Sequence, residues 1–205
     1  MGIIRIIIGL IIGCIVLIFL QRLKKLRRKS TVFISILVVF LVVSLMAFIP
    51  FENAFITFQS AEESFNYFHS KNMNVQLVLD GKKSSFVVAG DNGEYTIQLI
   101  PKTSDGWKVA RGIDSKRVLH KVIEGYSVTI YKYKDSQDYF VNVINTNGGN
   151  VEIRDNCNSN FYCLSHENET LNESFYSYYA SIEKYDDSYS LIINDKELPI
   201  CGITE

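Results

Sequence analysis

The sequence predicts an N-terminal two-helix transmembrane hairpin followed by a mainly β ectodomain. Three observations predict this class. Two long apolar runs open the chain, a block of six Lys and Arg residues separates them, and short segments with a two-residue hydrophobic period fill most of the remainder. Uncharged apolar runs of this length are typical of membrane-spanning helices, and a period of two is typical of strands that bury one face.

The two apolar runs cover residues 3–20 and 31–49, and Arg5 is their only charge. As helices they would be about 27 to 29 Å long, close to the hydrocarbon thickness of a bilayer. One continuous span through both runs would bury the cations between them, each at a cost of roughly 2.5 to 3.5 kcal/mol. Two helices joined by a hydrated loop are therefore predicted.

The loop at 21–30 is predicted to lie in the cytoplasm, because short loops rich in Lys and Arg are retained there. Both the N-terminus and everything after Pro50 are then extracytoplasmic, in a multi-pass protein of the cell membrane. The same cations are expected to contact anionic lipid headgroups, at about 1 kcal/mol per residue. These residues are Arg22, Lys24, Lys25, Arg27, Arg28 and Lys29.

Other interpretations of the first apolar run are weaker. A cleaved signal peptide needs small residues after the run, and residues 21–23 are Gln, Arg and Leu. Residues 11–14 resemble a lipoprotein box, but more apolar residues and then the cations follow, so Cys14 is predicted to be a buried, inert helix residue. Gly9 and Gly13 form a G-x-x-x-G motif, which favours packing within the hairpin, with homodimerisation as the alternative.

The ectodomain is acidic. Residues 1–50 carry seven Lys or Arg and no acid, whereas residues 51–205 carry the other fourteen and all 22 acids, a net charge of −8. This balance argues against a nucleic-acid partner.

One short helix is predicted at about 60–71. Ser60 and Glu63 form a capping box, and Ala61, Phe65 and Phe68 share one helical face. Only residues 51–58 connect this helix to the second apolar run, so it is expected to lie close to the bilayer.

The hydrophobic period then changes to two, which predicts antiparallel strands in a sheet, sandwich or meander. Dipeptides that tolerate tight turns separate these segments. We divide the ectodomain into an α+β module at 51–124 and a β-sandwich-like module at 125–205, with one continuous domain as the alternative. The predicted strands are 75–79, 85–89, 94–100, 107–110, 117–123, 126–133, 138–144, 151–153, 174–182 and 188–193.

Three segments carry a family resemblance: "IPFENAFITFQSAEESFNYF", "IPKTSDGWKV" and "INTNGGNVEI". With the hairpin, they make the chain similar to a group of uncharacterised small two-helix membrane proteins of low-GC Gram-positive bacteria. The resemblance covers nearly the whole chain. It implies a cell-envelope location and a C-terminal extracytoplasmic β-rich domain, and it brings no catalytic motif.

Cysteine provides the most specific candidate sites. Cys157, Cys163 and Cys201 would all face a compartment in which disulfides persist. A Cys157–Cys163 bridge, a bridge that uses Cys201, and no bridge at all remain open, because sequence does not determine pairing. His166 follows Cys163 at a spacing that matches no common zinc pattern, so no metal is predicted.

No cofactor or catalytic residue is predicted. His69, His120 and His166 are far apart in sequence, and no serine-hydrolase, zinc-protease or phosphate-loop motif is present. Asp186-Asp187 indicates a turn. The loop at 155–160 lacks the glycine and closing glutamate of a calcium-binding loop, so a solvated loop is expected.

Aromatic residues are abundant on the predicted strands. Exposed, they could stack on a glycan; buried, they would form the core, which is the expectation we favour. The aromatic residues are Tyr131, Tyr133, Tyr139, Phe140, Tyr176, Tyr178, Tyr179, Tyr185 and Tyr189.

The predicted ectodomain is tethered to the membrane, is rich in strands and carries no catalytic motif. We therefore expect a non-enzymatic, membrane-anchored binding or accessory module that serves another envelope protein; a hydrolase or thiol-dependent enzyme is the alternative.

Overall fold

The computed structural model describes residues 11–16, 18, 19, 22, 33, 34, 36–38, 40, 41, 50–69, 73–91, 94–111, 114–168 and 173–200. Most of the predicted hairpin lies outside these residues. Those that are described within the two apolar runs are helical. Among the described residues, no helix is both long and apolar enough to cross a membrane.

The described helical residues of the two runs present large apolar side chains outward. Cys14 lies on the same helical side as Ile11, Ile15 and Ile18 and is exposed, so the prediction that it is buried was wrong. Gly13, on the other side, is buried. Nine side chains are 54–71% exposed: Ile11, Ile15, Ile18, Phe19, Phe33, Ile36, Leu37, Phe40 and Leu41.

A 3-10 turn at Phe51–Ala54 leads into helix α1, Ala61–Phe68. The predicted cap is present, because the backbone N–H of Glu63 donates to Ser60 Oγ at 3.1 Å. In return Glu63 Oε2 accepts from the N–H of Gln59, one residue before the usual partner, at 2.9 Å. The cap therefore fixes where α1 begins.

The rest of the described chain is mainly β, and every sheet is antiparallel. Each predicted strand overlaps an observed one. The strands are β1 Asn74–Asp80, β2 Ser84–Asp91, β3 Glu94–Thr103, β4 Gly106–Trp107, β5 Ser115–Ile123, β6 Tyr126–Tyr133, β7 Tyr139–Asn145, β8 Ile153–Asp155, β9 Tyr162–Asn168, β10 Glu173–Ile182, β11 Ser190–Ile193 and β12 Lys196–Pro199.

These strands form three sheets. The first is a meander in the order β1-β2-β3-β4, the second has the order β5-β6-β7-β10-β9, and the third has the order β12-β11-β8. After β7 the chain leaves the second sheet to form β8 and returns as β9 and β10. Such crossings between sheets are typical of sandwich-like folds.

Three buried clusters join the elements into layers. α1 packs on one face of the four-stranded sheet through Ala61 and Phe65. The other face of that sheet meets the five-stranded sheet through a cluster centred on Phe86, which we call the aromatic interface. The opposite face of the five-stranded sheet packs on the three-stranded sheet through a larger, mostly aliphatic cluster, the aliphatic interface.

The predicted boundary at residue 124 falls in the turn between β5 and β6, which pair along their length within one sheet. A second link joins the two predicted modules, because the Asp138 carboxylate accepts hydrogen bonds from the turn between β1 and β2. The residues on the two sides of position 124 therefore share a sheet and a core.

β10 is buried on both of its faces. Tyr178, Ala180 and Ile182 face the aliphatic interface, and Ser177, on the opposite face, is 1% exposed. Tyr179 is buried in the aromatic interface, on that other face of β10. Because the five-stranded sheet is covered on both faces, its strands do not follow a simple alternation of core and solvent.

Candidate functional site

Cys157 and Cys163 are not joined to each other in the structure. Cys157 and Cys163 are free and exposed, and Cys201 lies outside the described residues. Each of these two thiols contacts an asparagine, with Cys157 Sγ 3.7 Å from Asn156 Oδ1 and Cys163 Sγ 3.8 Å from Asn150 Oδ1. The possible bridges through Cys201 remain predictions.

The surroundings of Cys157 do not activate its thiol. Partial burial and the nearby carboxylates of Asp155, Asp186 and Glu183 raise the pKa of Cys157. A nucleophilic cysteine needs the opposite shift, toward the thiolate. Cys157 is therefore poorly suited to thiol catalysis.

Most predicted hairpin sites lie outside the described residues. This applies to Gly9 and to five of the six loop cations, Lys24, Lys25, Arg27, Arg28 and Lys29. Arg22 is helical and exposed. Contact between Arg22 and a lipid headgroup stays a prediction.

The three histidines have separate environments. His69 Nε2 lies 3.0 Å from Gln98 Oε1, and His120 Nδ1 lies 3.0 Å from the Thr129 hydroxyl on the neighbouring strand. His166 is 1% exposed, and its Nε2 lies 3.4 Å from the Tyr179 hydroxyl. In the part of the chain that the structure describes, none of the three hydrogen bonds to a cysteine or a carboxylate.

The acidic candidates are structural. Asp186 accepts from the backbone N–H of Ser188 in the expected turn. Asp155 was expected in a solvated loop but is 2% exposed, because its carboxylate accepts from Cys157 N, Ser159 N and the Tyr189 hydroxyl. Among the described residues, no cluster of His, Cys, Asp and Glu could hold a metal ion.

The nine aromatic residues on the strands belong to the core. Six are at most 8% exposed and the other three are half-buried, so they present no exposed row of rings to a glycan. The half-buried ones are Tyr131, Tyr176 and Tyr185.

An open cleft of about 540 Å³ lies where α1, the four-stranded sheet and the five-stranded sheet meet. Ile97, Leu99 and Tyr131 belong to the aromatic interface, so the cleft opens onto the edge of that interface. We call this site the cationic cleft because two of its lining residues are arginines. It is lined by His69, Thr96, Ile97, Gln98, Leu99, Arg111, Ser115, Arg117 and Tyr131.

Strand pairing places one arginine beside the tyrosine. Arg117 of β5 is directly opposite Tyr131 of β6, so the two side chains are cross-strand neighbours on one face. The register of β5 shifts between Arg117 and Leu119, an irregularity that re-aims side chains beside many functional sites. Burial raises the pKa of Tyr131, and the charge of Arg117 opposes that shift.

The second arginine is held in place by contacts just before it in the chain. Asn53 exchanges two hydrogen bonds with the backbone of Val109, at 2.9 and 2.7 Å. The Ser64 hydroxyl of α1 donates to Lys108 O at 2.8 Å. Arg111 follows two residues after Val109, so the first turn after Pro50 and α1 both fix the segment that carries it.

Sequence reasoning missed this site, although a local signal existed. Residues 108–117 contain Lys108, Arg111, Lys116 and Arg117 against one acid, within an ectodomain of net charge −8. Such a basic cluster in an acidic domain could have been singled out. The sequence does not show that His69 and β3 lie next to this basic cluster, because tertiary packing brings them there.

The fold and the cleft define a mainly β domain with a ligand-sized cationic site between two of its sheets. No protein-family model, no curated protein and no solved structure matches the chain.

Proposed function

We propose that this chain is a membrane-anchored, extracytoplasmic binding or accessory module of the bacterial cell envelope, and that the cationic cleft is its binding site. The observation that carries the proposal is the convergence of Arg111, Arg117 and Tyr131 with His69 in one open cleft. Clefts of this volume with a few convergent polar groups are the usual form of a ligand site.

Two observations support the anchor. The described residues of both apolar runs are helical, and nine large apolar side chains on them are exposed, which a lipid environment would cover. The basic loop between the runs favours a cytoplasmic turn, with the β-rich domain outside. The anchor is a hairpin with helices at about 3–20 and 31–49.

A binding role fits the cleft better than catalysis. Among its lining residues, His69 bonds to the Gln98 amide, and Ser115 and Tyr131 have no hydrogen bond to a general base within the described chain. Nucleophilic catalysis needs a nucleophile and a base in contact. The cleft instead offers donors and positive charge.

Site-specific photocrosslinking in intact cells tests the binding role. A photoreactive residue at Ser115, which lines the cleft, should capture an envelope component. The same residue at Lys116 should not, because strand alternation places Lys116 on the opposite face of β5. Recovery of only the uncrosslinked monomer from both positions would contradict a binding role for the cleft.

Protease added to intact protoplasts tests the anchor and its orientation. We expect the protease to remove the residues beyond about Phe51 and to leave the hairpin. Replacing the six loop cations by Gln should scramble this pattern, because those cations set the orientation. Cleavage of the ectodomain only after lysis would show that it faces the cytoplasm.

A further inference from the structure

We propose that the cationic cleft binds a phosphate group, which Arg111 and Arg117 hold between α1 and the two larger sheets. The inference rests on the proposed binding function and adds the chemistry of the ligand. The phosphate could be carried by a membrane lipid or by a water-soluble compound, and the two sources share the recognition chemistry.

Arg111 and Arg117 are available to bind an external anion. Within the described chain, neither Arg111 nor Arg117 has an ion pair, and no side-chain hydrogen bond occupies either guanidinium. The Asp114 carboxylate, close in sequence to both, pairs with Lys134 at 3.3 Å. Two guanidinium groups that have no anionic partner among the described residues, in a domain of net charge −8, favour binding of an external anion.

The other lining groups favour an oxyanion with several oxygens. Guanidinium groups bind phosphate through pairs of parallel N–H···O bonds. Ser115, Thr96 and the Tyr131 hydroxyl add further donors around the same space, and burial keeps that hydroxyl protonated by raising the pKa of Tyr131. A phosphate can accept from more of these donors at once than a carboxylate can.

The cleft also lies close to the point at which the chain leaves the second apolar run. Asn53 bonds to Val109, and the N–H of Asn53 donates to Pro50 O at 3.0 Å. The path from Pro50 to Arg111 through these contacts is therefore no longer than about 20 Å. With the proposed anchor, a lipid phosphate at the outer surface would lie within reach of the cleft.

The test uses the full chain in an uncharged detergent, titrated with inorganic phosphate and followed by calorimetry. Replacing both arginines, Arg111→Gln with Arg117→Gln, should weaken phosphate binding by at least about tenfold. The matched control Lys116→Gln removes a positive charge from the opposite face of β5 and should change it by less than about twofold. Citrate, which carries only carboxylates, should bind more weakly than phosphate.

A second arm identifies the source of the phosphate. Mixed micelles of phosphatidylglycerol and detergent are presented to the same three proteins, and retained lipid is counted by native mass spectrometry. The basic loop is identical in all three proteins, so lipid bound there contributes equally to each count. A lower count in the double arginine variant alone, together with displacement of lipid from the unsubstituted protein by inorganic phosphate, assigns a lipid source. Equal counts with arginine-dependent phosphate binding assign a water-soluble source.

Three results would overturn the proposal: no phosphate binding to the full chain, equal weakening by Lys116→Gln, or citrate binding tighter than phosphate. Near-ultraviolet circular dichroism confirms that the variants are folded, since both arginines lie at the surface of the cleft. Crosslinking from Ser115 is independent of these titrations. A captured partner without phosphate binding would leave the binding function standing and remove only the phosphate.

Discussion

The two faces of the five-stranded sheet are buried in different ways. Among the described residues, fifteen buried ones form the aliphatic interface, including Val141, Leu191 and Ile200. Seven of the described residues form the buried part of the aromatic interface, with Phe86 in ring contact with Phe140, Tyr131 and Tyr179. The smaller interface also carries polar groups at its margins: the cationic cleft, the Asp138 carboxylate and His166.

This difference suggests that the aliphatic interface mainly stabilises the fold and that the aromatic interface carries the binding site. A large aliphatic core can be built from residues whose only requirement is volume, and it holds the five- and three-stranded sheets together. The aromatic interface has fewer buried side chains and more polar edges, so it is where ligand binding and pH are expected to act. Substitutions on each face of the sheet test this division.

Truncation at the centre of the aromatic interface should have the largest effect. Phe86 is fully buried and stacks on Phe140 with ring centroids 5.2 Å apart. Phe86→Ala should lower the free energy of unfolding by about 3 to 5 kcal/mol. Chemical denaturation of the full chain in detergent, followed by the fluorescence of the single Trp107, measures this loss.

The matched variant on the other face is Leu191→Ala, expected to cost about 2 to 5 kcal/mol. If the sheets unfold as one unit, both variants shift Trp107 fluorescence and tyrosine circular dichroism together. Should Leu191→Ala leave the Trp107 transition unchanged, the four-stranded sheet would unfold independently, and the aromatic interface would be a contact between two domains.

His166 should make the aromatic side of the sheet sensitive to acid. Its ring lies 3.9 Å from that of Tyr95 and 4.9 Å from that of Phe175, and no described residue is a partner for its Nδ1. Burial lowers the pKa of His166 from 6.5 to about 4. The folded state therefore disfavours the imidazolium.

The sign follows from proton binding. Between pH 6.5 and about 4 the unfolded chain binds a proton at His166 and the folded chain does not, so stability falls as the pH falls. The loss approaches about 3 kcal/mol near pH 4. Denaturation midpoints measured from pH 7.5 to 4 should show a decline that His166→Leu reduces and that His120→Gln, at an exposed position, leaves intact. An unchanged slope in His166→Leu would contradict this assignment.

Much of the fold was accessible from the sequence, because local patterns determine it. The capping box set the start of α1, and a two-residue period located ten strands. β9 and β12 were missed. At β9, Tyr162, Leu164 and His166 alternate with polar residues, but the asparagines just before them indicated a loop. At β12, Asn194 and Asp195 have positive φ and form the two-residue turn of a hairpin that this dipeptide could have predicted.

The cationic cleft was not accessible in the same way. Its residues come from the position just after α1, from β3, from the segment before β5, from β5 itself and from β6, and only packing brings them together. The covered second face of the five-stranded sheet was hidden for a related reason. Ser177 is small and polar and indicates solvent, yet it is buried, on the same face of β10 as Tyr179 of the aromatic interface. Local periodicity does not report which sheets stack.

The smallest predicted effect concerns the polar link between the two larger sheets. Asp138, 5% exposed, accepts from the backbone N–H groups of Lys82 and Lys83 at 3.0 and 2.7 Å and from the Ser84 hydroxyl at 2.9 Å. Asp138→Asn keeps the size of the side chain but turns one acceptor into a donor that faces donors. Hydrogen bonds to a charged group contribute about 1.5 to 3 kcal/mol, so we expect a loss of about 2 kcal/mol in the free energy of unfolding.

The control is Asp195→Asn, which removes an exposed ion pair with Arg154 and should cost less than about 1 kcal/mol. Equal losses in the two variants would mean that Asp138 contributes no more than a surface charge, and the connection between the sheets would then depend on the aromatic cluster alone.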